Sequence, residues 1–160
     1  MRKGEHVLHP QHGIGKIESI CELSISGHTP ASYAELYFER DDLTMTMLEE
    51  HLPEVVRRVI SSEEAEDLLD QLSSWNGQCS SQWKARANAH QAAIDSGDPF
   101  EYVKVLKGLA QLDNEGPLRT CDRQHFNQSL NLLTEELACA LKKSPRQVSK
   151  LIDQAVGVPL

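Results

Sequence analysis

The chain has 160 residues, with 24 Asp and Glu against 16 Lys and Arg, a net charge of −8. That length suffices for one or two small domains with their own cores, and the acidic balance excludes a tight, non-specific DNA binder resting on many phosphate contacts. No apolar run of about 18 residues is present, which excludes a membrane-spanning helix, and MRKGEHVLHPQHG lacks the apolar stretch of a signal peptide, so a cytoplasmic protein is expected.

Residues 1 to 60 read as β. Lys3 to Pro10 is a short strand stopped by proline, and Gln11-His12-Gly13 is a turn with glycine available for positive φ. Ile14 to Ile25 is rich in β-branched residues and alternates only in part, which fits one long bent strand with a bulge. Ser26 to Pro30 is a hairpin loop. Tyr33 to Phe38 is the next strand, Glu39 to Asp42 a polar turn. Leu43-Thr44-Met45-Thr46-Met47 alternates cleanly, with Thr44 and Thr46 on one side. Val55 to Ile60 reads as a last short strand. Short strands at these intervals predict a small antiparallel barrel.

At Ser61 the period changes. Ser61 and Glu64 make a capping box before Ala65, Leu68, Leu69 and Leu72 at helical spacing. Ser73 to Ser80 is a polar break, and a second helix follows to Ser96-Gly97. Asp98-Pro99-Phe100-Glu101 opens a third, with cap, Pro at the first position and Glu at the third. Thr120 can cap a long fourth helix carrying Phe126, Leu130, Leu133, Leu137 and Leu141. Ser144-Pro145 starts a fifth, with Val148, Leu151, Ile152 and Ala155 inward. The expected architecture is α+β: a β domain over 1–60, then an all-helical domain of about five helices over 61–160. Each part carries −4.

One stretch departs from the acidic background. Gln71 to Ile94 holds no Asp or Glu, and both tryptophans, Trp75 and Trp83, lie in it. On a helix Trp83, Arg86 and His90 share one stripe and Ala85, Ala89 and Ala92 the opposite one. The alanines can pack closely on a neighbour, leaving Trp83, Arg86 and His90 outward as a contact surface for nucleic acid or protein. A core Trp83 fits the sequence by itself at least as well, because most Trp in small helical domains are largely buried.

Several strings together resemble the CarD/CdnL family of bacterial transcription regulators. They are Gly4-x-x-Val7-x-x-Pro10-x-His12-Gly13-x-Gly15, Tyr33 to Phe38, Leu43-Thr44-Met45, Arg58-x-Ile60-Ser61, Trp83-x-x-Arg86, Ile94-x-Ser96-Gly97-Asp98 and Glu136-Leu137-Ala138. The resemblance spans roughly residues 3 to 155. It implies a Tudor-like barrel that binds the RNA polymerase β subunit, and a helical domain that touches promoter DNA at the upstream edge of the melted region. Trp83 would wedge there and stabilise the open complex, with Arg86, Lys84 and His90 beside it on DNA. Leu23, Ile25, Thr44 and Thr46 would meet the polymerase. Leu23 and Thr46 stand where the family often has Arg, and Ile25 keeps the family's apolar character. A monomer, nucleoid-associated through the polymerase, is implied.

Other patterns carry less. Cys21, Cys79, Cys121 and Cys139 are scattered and His9/His12 have no acid or Cys at ligand spacing, so no metal or cofactor is expected. No nucleophile–base set suggests an enzyme. Leu137-Ala138-x-x-Leu141 through Ser144 to Val148 and Ile152 has helix-turn-helix spacing, with Arg146, Gln147, Ser149 and Lys150 on the second helix. Flanking acids and the lack of a turn glycine favour two packed helices instead. A protein–protein adaptor that has lost DNA contact is the alternative function, motivated by the net charge and the absent Arg positions.

Overall fold

The computed structural model describes all residues except 25, 28 and 158–160. The chain divides into two compact units, Met1–Val59 and Ile60–Leu160.

The first unit is one antiparallel sheet. Its strands are β1 (His6–His9), β2 (Gly13–Leu23), β3 (Ala31–Phe38), β4 (Leu43–Leu48) and β5 (Arg57–Arg58), in the order β4-β3-β2-β1-β5. The expected barrel is not found: among the described residues β4 and β5 do not pair, so the sheet stays open at both edges. The anticipated bulge in β2 lies between Ile17 and Ser19, where the register with β3 shifts. Val55 to Ile60 is not one strand. Pro53 supports a short helix, α1 (Leu52–Val55), and only Arg57–Arg58 pair, with β1. This one-turn element brings the α-helices among the described residues to six. Val7, Ile17, Ala34, Leu36, Phe38, Leu52 and Val56 form the core. The Phe38 ring lies directly over Gly15, where any Cβ would collide with it. His9 accepts from the backbone N–H of Gln11 at 3.1 Å and His12 meets Asp41 at 2.7 Å, so this pair of histidines pins turns.

The second unit holds α2 (Ser62–Ser74), α3 (Trp83–Asp95), α4 (Pro99–Glu115), α5 (Thr120–Leu141) and α6 (Pro145–Val156). Its starts follow capping chemistry. Ser61 and Ser144 close reciprocal capping boxes with Glu64 and Gln147, and Asp98 accepts from Phe100 N–H. Thr120 does not cap α5: Arg119 occupies the cap position and makes no side-chain cap bond. Leu68, Leu72, Leu106, Leu109, Leu133, Leu137 and Ile152 are fully buried in a core between α2, α4, α5 and α6. Lys107 is buried at one end of it, donating to the carbonyls of Val156 at 3.0 Å and Ser73 at 3.4 Å. A cation there satisfies the unpaired C-terminal carbonyls of two helices.

Candidate nucleic-acid and polymerase contact sites

The Trp83 region starts from the break before α3. Trp75 is half-buried and its ring rests on Gly77, where a Cβ would strike it. The chain then reaches Trp83 at the first position of α3, too early in the helix to lie among its inward residues. Trp83 is 45% exposed, one of two large apolar side chains left open among the described residues. Its ring is flanked by two cations, Arg119 at 5.5 Å and Lys84 at 5.6 Å from the centroid. Both lie within the reach of a cation–π attraction. Lys84 was legible from the sequence; Arg119, 36 positions away at the N-cap of α5, was not.

The rest of the expected stripe, further along the same face, is turned inward. Arg86, His90 and Ile94, at i, i+4 and i+8, are the buried residues of α3, while Ala85, Ala89 and Ala92 are exposed. The reason is Asp122, in the first turn of α5 and 2% exposed. Arg86 Nε and Nη2 donate to its two carboxylate oxygens at 2.9 and 2.6 Å, and Nη1 donates to the Ser80 carbonyl at 3.0 Å. A planar guanidinium matches a carboxylate in this way, which supplies the partner a buried charge requires. The bond to Asp122 raises the Arg86 pKa, and the bond to Arg86 lowers that of Asp122. The alanines have little area to bury, so turning them outward costs little. Arg86 therefore anchors the helix beneath Trp83 and has no free fork for a phosphate.

His90 lies deeper along the same face. Burial above all, then the neighbouring His125, lowers its pKa to about 4, so it stays neutral. Its ring meets that of His125 edge-on at 6.1 Å, and its Nδ1 is buried without a hydrogen-bond partner among the described residues. His125 in turn meets Gln91 Oε1 at 3.0 Å. A neutral, enclosed imidazole is not placed to touch DNA, so His90, like Arg86, leaves the contact set.

In the first unit, register brings the remaining positions together. Directly paired residues share a face of a sheet. Leu23 pairs with Ala31, Thr46 with Glu35 and Thr44 with Tyr37. Ala31, Glu35 and Tyr37 lie on the side of β3 opposite the buried Ala34, Leu36 and Phe38. Leu23, Thr44 and Thr46 are consequently on one outer face, all exposed, with Leu23 at 42%. β4 is one of the two edges of that sheet. Ile25 lies outside the described residues.

Two family models match almost end to end. The CarD-like/TRCF RID domain matches residues 1–60, and the CarD, C-terminal domain matches residues 67–153. The chain belongs to the CarD family. No curated protein matches it. CarD-like domains are regulatory and interaction modules of RNA polymerase-interacting transcription factors. The CarD assignment thus accounts for both units in chain order. No helix among the described residues is long and apolar enough to cross a membrane.

Proposed function

We propose that this CarD-family protein docks through the outer face of its sheet on the RNA polymerase β subunit, and that its helical unit stabilises the promoter open complex. The polymerase contact is assigned to a domain over residues 1–60 and the DNA contact to one over 61–160. Leu23, Thr44 and Thr46 meet the polymerase, joined by Ile25, with the free edge of β4 available for strand addition. Trp83 wedges at the upstream edge of the bubble, while Lys84 and Arg119 hold the adjacent phosphates. The protein acts as a monomer in the cytoplasm, on the nucleoid through the polymerase.

The observation that carries this reading is the exposed Trp83 ring between two cations. An aromatic ring inserted at a step already unstacked costs little and opposes reclosure. The cations answer the charge that comes with it. The net charge of −8 sets the order of events: contact with DNA follows delivery by the polymerase. The test is open-complex lifetime on promoter DNA. Trp83→Ala shortens it while polymerase binding stays intact; an unchanged lifetime rejects the wedge.

The adaptor reading draws on Leu23 and Thr46, which offer the polymerase no cation. A pull-down from native extract separates the two. Recovery of polymerase subunits supports the first reading, and recovery without them supports the adaptor.

A further inference from the structure

The basic residues of the helical unit are unevenly placed. Leu137 to Ile152 is a second stretch without Asp or Glu, and it carries Lys142, Lys143, Arg146 and Lys150, four of the unit's ten cations. The fold keeps all four exposed. Lys142 is the left-handed C-cap of α5, Ser144 caps α6, and Arg146 and Lys150 stand one turn apart on the outer side of α6, whose Val148 and Ile152 are buried. None of the four takes part in an ion pair among the described residues. The flanking acids do not neutralise them as the sequence suggests. Glu136 is turned fully inside, where it accepts from the Ile60 N–H at 3.1 Å, and Asp153, exposed one turn beyond Lys150, forms no ion pair with it. An overall acidic protein thus displays four exposed cations, without an ion pair among the described residues, around the α5–α6 turn.

The geometry points to a second duplex-contacting surface: Lys142, Lys143, Arg146 and Lys150 bind the phosphate backbone of double-stranded DNA. This surface is separate from Trp83, which sits with Arg119 at the opposite end of α5. A helix of 22 residues is about 33 Å long. The surface reads charge, not sequence, since the capping box occupies the Gln147 side chain. Four unpaired cations without an intervening acid complement a phosphate chain, and lysines there act as point charges on single phosphates. The inference stands without the wedge, because an intact duplex has no fork for Trp83.

The test uses the full chain and a blunt fluorescent duplex in a salt titration, read by anisotropy. Wild type binds at low salt and is released as salt rises. The triple variant Lys142→Gln/Arg146→Gln/Lys150→Gln loses about tenfold or more in affinity, and its slope of log affinity against log salt falls by about 2 to 3, near 0.9 per phosphate contact. Arg2→Gln/Lys3→Gln/Lys16→Gln, with the same change of net charge, stays close to wild type. All substituted positions are exposed, and a urea midpoint equal to wild type verifies the fold. Wild type without salt-dependent binding overturns the proposal. So does a patch variant that matches the charge control, or one that loses an acidic peptide while keeping the duplex.

Discussion

Arg86 and Asp122 form a bidentate ion pair between α3 and α5, at 2.9 and 2.6 Å, with side chains only 6% and 3% exposed. The pair fixes the helix whose first residue is Trp83, and its Nη1 bond to Ser80 holds the incoming loop. Its consequence for function is indirect: the guanidinium sets where the tryptophan stands.

Asp122→Asn leaves a buried guanidinium without its counter-charge. We expect a loss of about 3–5 kcal/mol, the usual cost of breaking such a pair from one side. Arg86→Lys falls short of wild type because an ammonium cannot span both oxygens. The double variant Arg86→Met/Asp122→Leu recovers most of the stability, since neither charge is then stranded. Urea midpoints at constant slope measure all three. A loss under about 1 kcal/mol for Asp122→Asn would mean that water solvates the pair.

The two tryptophans differ in access. Trp83 is exposed, and Trp75 is half-buried against Gly77. In Trp75→Phe the remaining emission is red-shifted and quenched efficiently by iodide. In Trp83→Phe it is bluer and quenched less. Trp83→Ala costs under about 1 kcal/mol, the scale of its exposed cation–π contacts. A blue-shifted, unquenched Trp83 would remove the basis for the wedge.

Acid weakens the helical unit in a definite window. His90 is held neutral with a pKa lowered to about 4, first by burial and then by His125, with Asp122 opposing and Arg86 assisting. In the unfolded chain it titrates near 6.5. Between those values the unfolded chain binds more protons, so stability is fully present above about pH 6.5 and is lost as pH falls toward 4. The full loss is at most about 3 kcal/mol, at 1.36 kcal/mol per unit. Asp122, whose pKa Arg86 lowers, adds a further loss below the ordinary carboxylate range. Urea midpoints measured from pH 7 to pH 5 should decline in wild type and decline less in His90→Phe. Parallel profiles would show that another group is responsible.

Thr46 is exposed on the edge strand β4, beside Glu35. Thr46→Glu places two carboxylates side by side on the outer face, and Leu23→Asp removes an exposed apolar contact from the same face. Each should weaken capture of the polymerase by about 1–2 kcal/mol, five- to thirtyfold. The fold tolerates both because neither residue is in the core. Full capture by both variants would place the contact on another face.

Much of the fold was legible because it rests on local chemistry. Ser61 with Glu64, Asp98 with Pro99, and Ser144 with Pro145 mark helix starts through bonds within one turn. The β2 bulge and the Leu43 to Met47 alternation are equally local. The Val55 to Ile60 segment reads as a strand because VVRRVI has β-branched composition, but Pro53 before it nucleates a turn of helix and only two residues find a partner in β1. Closure of the sheet depends on whether β4 and β5 meet, which neither strand encodes alone.

For the site, the sequence by itself determined the acid-free window, the helix that begins beside Trp83, the Trp83–Lys84 neighbours and the order of elements that resembles the family. Only the tertiary structure decided which way that helix faces. A helical wheel ranks the Trp83–Arg86–His90 stripe as outward because it carries charge. Asp122, 36 residues downstream of Arg86, reverses the ranking by giving the charge a buried bidentate partner. The same contact between helices brings Arg119 over Trp83. Whether a polar side chain faces inward depends on the partner waiting there, and that partner is set by packing between distant segments rather than by spacing within one.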